Sequence, residues 1–208
     1  MAGLAGPPHH FRSARGCRRS KEGLRFRSYV SQGVPFVQSG YVHVYTGDGK
    51  GKTTAAFGLA LRAVGAGYRV FVGQFTKGMD YSELHAVPLL GDRLCLEQFG
   101  RGCFIRNEPT EEDRQLARAG LARMAEVLHS GDYRVVILDE ANIAIHYGLF
   151  TVEELLDALH QRAPEVEAVV TGRRAHPALI EYADLVTEMR EIKHYYAQGV
   201  RARRGIES

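Results

Sequence analysis

The sequence predicts an α/β fold: a mostly parallel β-sheet with helices on both faces, in a single domain covering residues 41–208. Three features carry that prediction. From residue 41 onward, apolar runs of strand length alternate with helical stretches. One of those runs, Val135-Val136-Ile137-Leu138, is continuously apolar, as in a strand buried on both faces of a parallel sheet. A glycine-rich loop joins the first strand candidate directly to the first helix candidate.

In chain order, the first strand candidate is 41–46, and Ala55-Ala56-Phe57-Gly58-Leu59-Ala60-Leu61 places a helix over 52–66. Strands follow at 69–75 and 93–98. A helix over 110–129 opens on Thr110-Glu111-Glu112-Asp113, which fits a capping box with acids in the first turn. Leu116, Leu121, Met124 and Leu128 give it an apolar stripe for the core. The strand at 133–139 comes next, then a helix over 151–161 whose start, Thr151-Val152-Glu153-Glu154, fits the same box. A strand at 166–171, a helix at 176–183 and a strand at 184–188 complete the alternation. Ligands in such sheets bind beyond the carboxyl ends of the strands.

At 208 residues the chain suits one domain with a sizeable core, and no apolar run is long enough to span a membrane. The three cysteines, Cys17, Cys95 and Cys103, form no C-x-x-C pair and read as reduced thiols of a cytoplasmic protein. The net charge of +3 conceals an asymmetry. Residues 1–40 carry seven basic side chains and one acid, which leaves residues 41–208 at −3. The domain therefore gives no electrostatic reason to expect a nucleic-acid partner. The basic extension, residues 1–40, has the composition of a transit peptide. Its simpler reading is a solvated, disordered segment.

The most informative stretch is Tyr45-Thr46-Gly47-Asp48-Gly49-Lys50-Gly51-Lys52-Thr53-Thr54. Glycines let successive backbone N–H groups turn inward around phosphate oxygens, and the first turn of the following helix aims unpaired N–H groups at the same place. Lys52 adds a cation, and Thr53 a hydroxyl suited to a magnesium ion. This is a P-loop with one departure. In G-x-x-x-x-G-K-[ST] the opening glycine falls on Thr46, and a glycine comes one residue later at Gly47. Asp139-Glu140, after four apolar residues, supplies the acids that complete such a site by reaching the metal directly or through water. Lys77, in Gln74-Phe75-Thr76-Lys77-Gly78, and Arg173, in Thr171-Gly172-Arg173-Arg174, close two further strands where cations can meet phosphate. A solvated loop accounts for Lys77 equally simply, and an ordinary surface turn is the alternative for Arg173. Gly100-Arg101-Gly102-Cys103-Phe104-Ile105 carries apolar groups that would wall a ligand pocket or anchor a buried loop. His194 reads as structural.

Together these motifs, with Glu191-Ile192-Lys193-His194 and Gly199-Val200, resemble the ATP:corrinoid adenosyltransferases of bacterial cobalamin synthesis, the cob(I)yrinic acid a,c-diamide adenosyltransferase type. The resemblance covers residues 41 to about 206, and the displaced P-loop glycine belongs to it. It implies a RecA-like P-loop fold and a reaction in which Co(I) of a reduced corrinoid attacks the 5′ carbon of ATP and releases triphosphate. ATP is then the co-substrate and the corrinoid (the a,c-diamide, cobinamide or cobalamin) the substrate. Mg2+ would be the cofactor, with Mn2+ as an alternative. It further implies a homodimer and a flavoprotein reductase as electron source, with neither nucleic acid nor membrane as partner. The expected triphosphate site is Thr46, Gly47, Asp48, Gly49, Lys50, Gly51, Lys52, Thr53 and Thr54 with Lys77 and Arg173. Thr53, Asp139 and Glu140 would hold the metal, and Lys52 and Glu140 would act in catalysis. Cys103 and Phe104 would meet the corrinoid, although relatives carry more aromatic side chains in that loop. The competing expectation is a P-loop ATPase or small-molecule kinase, with a RecA-like nucleic-acid-binding module as a further one.

Overall fold

A computed structural model describes residues 12–13, 39–101 and 108–207, with the backbone alone at 12 and 13. The described residues are built around one sheet. Its strands are β1 (Arg12–Ser13), β2 (Val42–Thr46), β3 (Val70–Phe75), β4 (Leu94–Phe99), β5 (Val135–Asp139), β6 (Glu167–Thr171) and β7 (Leu185–Glu188), in the spatial order β1-β4-β3-β5-β6-β2-β7. β2 to β7 pair in parallel, and β1 lies antiparallel to β4 with Arg12 opposite Gln98. The six parallel strands match the expected α/β architecture. The basic extension contributes β1, and its other residues up to 38 lie outside those described.

The helices are α1 (Lys52–Gly65), α2 (Ser82–Ala86), α3 (Glu111–Ser130), α4 (Ala141–His146), α5 (Val152–His160) and α6 (Pro177–Tyr182). Strand residues alternate between two cores, as the two-residue period requires. Phe71, Phe75, Val136 and Leu138 face one side with Met124 and Leu128 of α3 and Leu155 and Leu159 of α5. Val70, Val72, Val135 and Ile137 face the other with Ala56, Ala60 and Ala63 of α1. Those alanines recur at helical spacing, and their small side chains bring the α1 backbone close to β5 and β6. This seats the start of α1 beside the ends of those strands.

Both capping boxes form. Thr110 accepts from Asp113 N and Thr151 from Glu154 N, and each acid side chain accepts the cap's own N–H in return. α2 and α4 are additions to the sequence reading. Each is too short for a 3.6-residue period to show. Among the described residues, no helix is long and apolar enough to cross a membrane. One expectation is corrected: Cys95 is disulfide-bonded, not a free thiol. Both other cysteines, Cys17 and Cys103, lie outside the described residues.

Candidate active site

The glycine-rich loop runs from the end of β2 to the start of α1. Gly47 and Gly51 have φ of 94° and 117°, left-handed values that disfavour a side chain. The late opening glycine has a local cause. Thr46 is still paired in β2 opposite Glu188, its carbonyl accepts Met189 N at 2.8 Å, and its hydroxyl accepts Ala175 N at 3.2 Å. The turn therefore begins at Gly47. A Cβ there would lie 2.4 Å from the Met189 carbonyl oxygen, and one at Gly49 would lie 2.7 Å from it. Gly49 N donates to that same carbonyl at 2.7 Å.

Lys52, the first residue of α1, is buried and donates to the carbonyls of Gly47 at 2.8 Å and Gly49 at 2.7 Å, bridging the loop. Burial lowers its pKa from the ordinary lysine value, and Arg173 pushes the same way. Glu140, Asp48 and Asp139 push against them.

Asp139, at the end of β5, is fully buried and organises the neighbouring strands. Its Oδ1 accepts from Thr171 Oγ1 at 2.7 Å and Thr53 Oγ1 at 2.8 Å. Its Oδ2 accepts from Lys77 Nζ at 2.8 Å and Gln74 Nε2 at 3.1 Å. Burial alone would raise its pKa. The Lys77 charge and these hydrogen bonds outweigh that and hold the carboxyl below the ordinary range. Burial likewise opposes the Lys77 ammonium, but Asp139 and Glu83 keep its pKa above the usual lysine value. The row continues outward, because Gln98 Nε2 on β4 donates to Gln74 Oε1 at 3.1 Å. Gln74 stands opposite both Asp139 and Gln98 in the sheet register.

Glu140 follows with φ of 60°, and its N–H donates to Thr171 Oγ1 at 3.0 Å. Burial, then the adjacent Asp139, raises its carboxyl pKa, against Lys77, Lys52 and Arg173. Thr76 after β3 and Arg174 after β6 share this left-handed backbone. Three such non-glycine residues lie beyond the carboxyl ends of β3, β5 and β6, in a costly conformation of the kind that clusters at functional sites.

The expected site residues divide. Gly47, Gly49, Gly51, Lys52, Thr53, Asp139 and Glu140 converge at this edge, and Arg173 stands exposed beside them within electrostatic reach of Lys52 and Glu140. Asp48 and Thr54 are exposed. Lys77 is spent on Asp139. Lys50 turns away from the loop, its Nζ donating to Ile206 O at 2.8 Å and to Glu207 Oε1 at 3.1 Å. His194 accepts Tyr196 N at its Nδ1 and caps a short 3-10 turn, a structural role. Cys103 and Phe104 lie outside the described residues. Arg101 makes a two-pronged ion pair with Asp113 at 2.6 and 2.8 Å. A Cβ at Gly78 would meet Arg101 O at 2.1 Å, so the Lys77 loop and the loop after β4 run backbone to backbone. Sequence reading missed Gln98. Its signal was a glutamine near the end of an otherwise largely apolar strand, the position Gln74 holds in β3.

Among the described residues, no cluster of three or more His, Cys, Asp or Glu side chains could hold a metal by itself. The Thr53 hydroxyl and the Glu140 carboxylate are hard oxygen donors, few in number. That suits Mg2+, which takes one or two protein oxygens together with phosphate oxygens and water. Asp139 fits only as the group that orients the Thr53 hydroxyl, because protein donors fill both its oxygens.

Comparison with known proteins agrees with this geometry. Residues 38–208 match the family described as ATP:corrinoid adenosyltransferase BtuR/CobO/CobP. A corrinoid adenosyltransferase of Pseudomonas aeruginosa is 35% identical over 171 residues, covering 82% of this chain and 84% of that protein. One from Escherichia coli is 36% identical over 177 residues, covering 82% and 86%. The corrinoid adenosyltransferase CobA of Salmonella typhimurium is 35% identical over the same length, with the same coverage. A matched family region that runs from before β2 to the chain's last residue, with the loop, Asp139 and Glu140 inside it, means that the chain belongs to the ATP:corrinoid adenosyltransferase family.

Proposed function

We propose that the enzyme transfers the 5′-deoxyadenosyl group of ATP to Co(I) of a reduced corrinoid, with triphosphate as leaving group, and that the loop Gly47–Thr53 stabilises that leaving group. The observation that carries this reading is the placement of Lys52. Its ammonium is buried, fixed between two loop carbonyls and seated at the start of α1. In the reaction, the C5′–O bond breaks as the cobalt–carbon bond forms, and negative charge gathers on the triphosphate. A cation and backbone N–H groups already in position stabilise that charge without reorganising. The Gly49 N–H is spent on the Met189 carbonyl, so the first turn of α1 supplies the N–H groups for the oxygens, and Lys52 neutralises them. Arg173, exposed beside them, clamps outer phosphate oxygens.

Mg2+ held by Thr53 and Glu140 would supply further charge neutralisation when bound. Asp139 fixes the Thr53 hydroxyl, and Lys77 keeps Asp139 ionised. The corrinoid is the nucleophile, so the chain's own groups need only bind, orient and exclude water. The electrons for cobalt come from a separate reductase, which we assign to the flavoprotein class. The working unit is a cytoplasmic homodimer. A reaction run with ATP labelled at C5′ tests the chemistry. The label is expected on cobalt in a light-sensitive alkylcorrinoid, with intact triphosphate released. ADP with unchanged corrinoid would replace this reading with phosphoryl transfer.

A further inference from the structure

We infer that Glu207, acting through Lys50, is a positioning residue for the phosphate loop, so that the chain's C-terminal segment sets how well the loop binds ATP. This rests on Gly47–Thr53 being the triphosphate site.

Lys50 lies in the middle of that loop, between Gly49 and Gly51, yet its ammonium is used up on the last residues of the chain. Besides Ile206 O and Glu207 Oε1, it lies 3.4 Å from the Tyr195 hydroxyl. The Glu207 carboxylate is a hub. Its Oε1 also accepts from the Tyr195 hydroxyl and from Arg203 Nη2 at 3.1 Å. Its Oε2 accepts from Arg203 N at 2.8 Å and Arg203 Nε at 3.3 Å. The Arg203 guanidinium lies over the Tyr195 ring, 5.0 Å from its centre. Arg203 first, then Tyr195, keep the carboxyl far below the ordinary glutamate range, so it stays an anion throughout the working pH range.

The same segment is fastened to the loop a second time. Met189 exchanges backbone hydrogen bonds with Thr46 and Gly49. Residues 189–207 thus form a strap that grips the loop on both sides of Gly49. A loop of three glycines in five residues has more conformational freedom to lose than any other kind of backbone. A cradle of converging N–H groups binds an anion well only if that freedom is removed beforehand. The strap removes it from the outer side and leaves the inner side to the phosphates. Lys50 is therefore a tether for the loop and not a phosphate ligand. The two roles make opposite predictions for Glu207. If Lys50 serves the phosphates, deleting Glu207 frees it. If Lys50 is a tether, deleting Glu207 loosens the loop.

The experiment is a double-mutant cycle on the full chain, with reduced cobalamin as acceptor and ATP varied, for Glu207→Ala, Lys50→Ala and the pair. Amide hydrogen exchange of each protein without ATP accompanies it. Loss of a charge-assisted contact at an exposed site corresponds to a KM for ATP about two- to fivefold higher in each single variant. The expected double variant is no worse than the worse single one, and exchange at residues 46–51 quickens. Glu207→Gln, the milder change, is expected to fall between wild type and Glu207→Ala, and it carries the test if Glu207→Ala does not fold. An unchanged or lower KM in Glu207→Ala beside a raised KM in Lys50→Ala would overturn the inference and return Lys50 to the phosphates. Quicker exchange confined to residues 190–207 would overturn it as well, because the segment would then be fastened without shaping the loop. ATP affinity of Lys52→Ala separates the two levels. If it equals wild type, the triphosphate reading fails, while exchange at 46–51 still judges the tether.

Discussion

The pair Lys77–Asp139 sets the electrostatics of the site. Asp139 is fully buried, so its negative charge is tolerable only because the Lys77 ammonium and three uncharged donors complete its hydrogen bonds. Its pKa lies below the ordinary 3.8, so the stability it contributes is complete above that value and is lost as pH falls through the lower, folded one. Lys77 is raised above 10.5, so its contribution holds below that value and is lost only as pH rises through the higher, folded one. Replacing Lys77 with Met strands a buried carboxylate and is expected to cost about 3–5 kcal/mol. Burial then dominates and raises the Asp139 pKa above the ordinary value. The variant should therefore recover stability as pH falls. Thermal melts at pH 7.5 and pH 4.5 check this, with a clearly smaller deficit expected at the acid pH. A deficit of equal size at both would mean that Lys77 does not hold Asp139 ionised. This role was hidden in the sequence. Lys77 closes a strand where a lysine reads as a ligand for phosphate, and only the pairing of β3 with β5 brings it onto Asp139.

At the scale of elements, glycine positions decide how α3 meets the sheet. A Cβ at Gly120 of α3 would lie 2.4 Å from the Phe99 ring, and one at Gly73 of β3 would lie 2.3 Å from Met124 and 2.7 Å from Phe99 Cε2. Phe99 is 1% exposed and packs against Phe75, so it cannot retreat. In an open helix, Gly→Ala gains about 1 kcal/mol. Here overpacking of about 1–3 kcal/mol opposes that gain. Gly120→Ala is expected to lower Tm by a few degrees, against the rise that helix propensity alone predicts. A higher Tm would show that the contact yields. The long elements could be read in advance because their signals are local. Thr110 to Asp113 and Thr151 to Glu154 name their own helix starts, and Val135–Leu138 names its own strand. α2 and α4 follow immediately on strand-end loops and span five and six residues, so packing on the sheet, not periodicity, makes them helices.

At the scale of the whole molecule, the parallel sheet gathers groups far apart in the chain along one edge. Gln98, Gln74, Asp139 and Thr171 stand side by side on β4, β3, β5 and β6, hydrogen-bonded across the strands. The P-loop strand β2 is separated from the Asp139 strand by β6, which lets α1 cross over β5 and β6 and set Thr53 against Asp139. The loop and its acids were legible because phosphate chemistry demands those residue types at that spacing. The strand order was not, since nothing local encodes which strand lies between β2 and β5. Nor was the fate of Lys50, which depends on a carboxylate 157 positions away.

The central claim is that the cradle at the start of α1 stabilises a departing triphosphate. Single-turnover formation of adenosylcobalamin, with saturating ATP and enzyme in excess over pre-reduced cobalamin, measures it directly in wild type and Lys52→Ala. Loss of a preorganised cation facing the leaving group is expected to slow the transfer by about 10²–10³ with corrinoid affinity unchanged. An equal rate in the variant, or a loss traced wholly to corrinoid binding, would contradict the account.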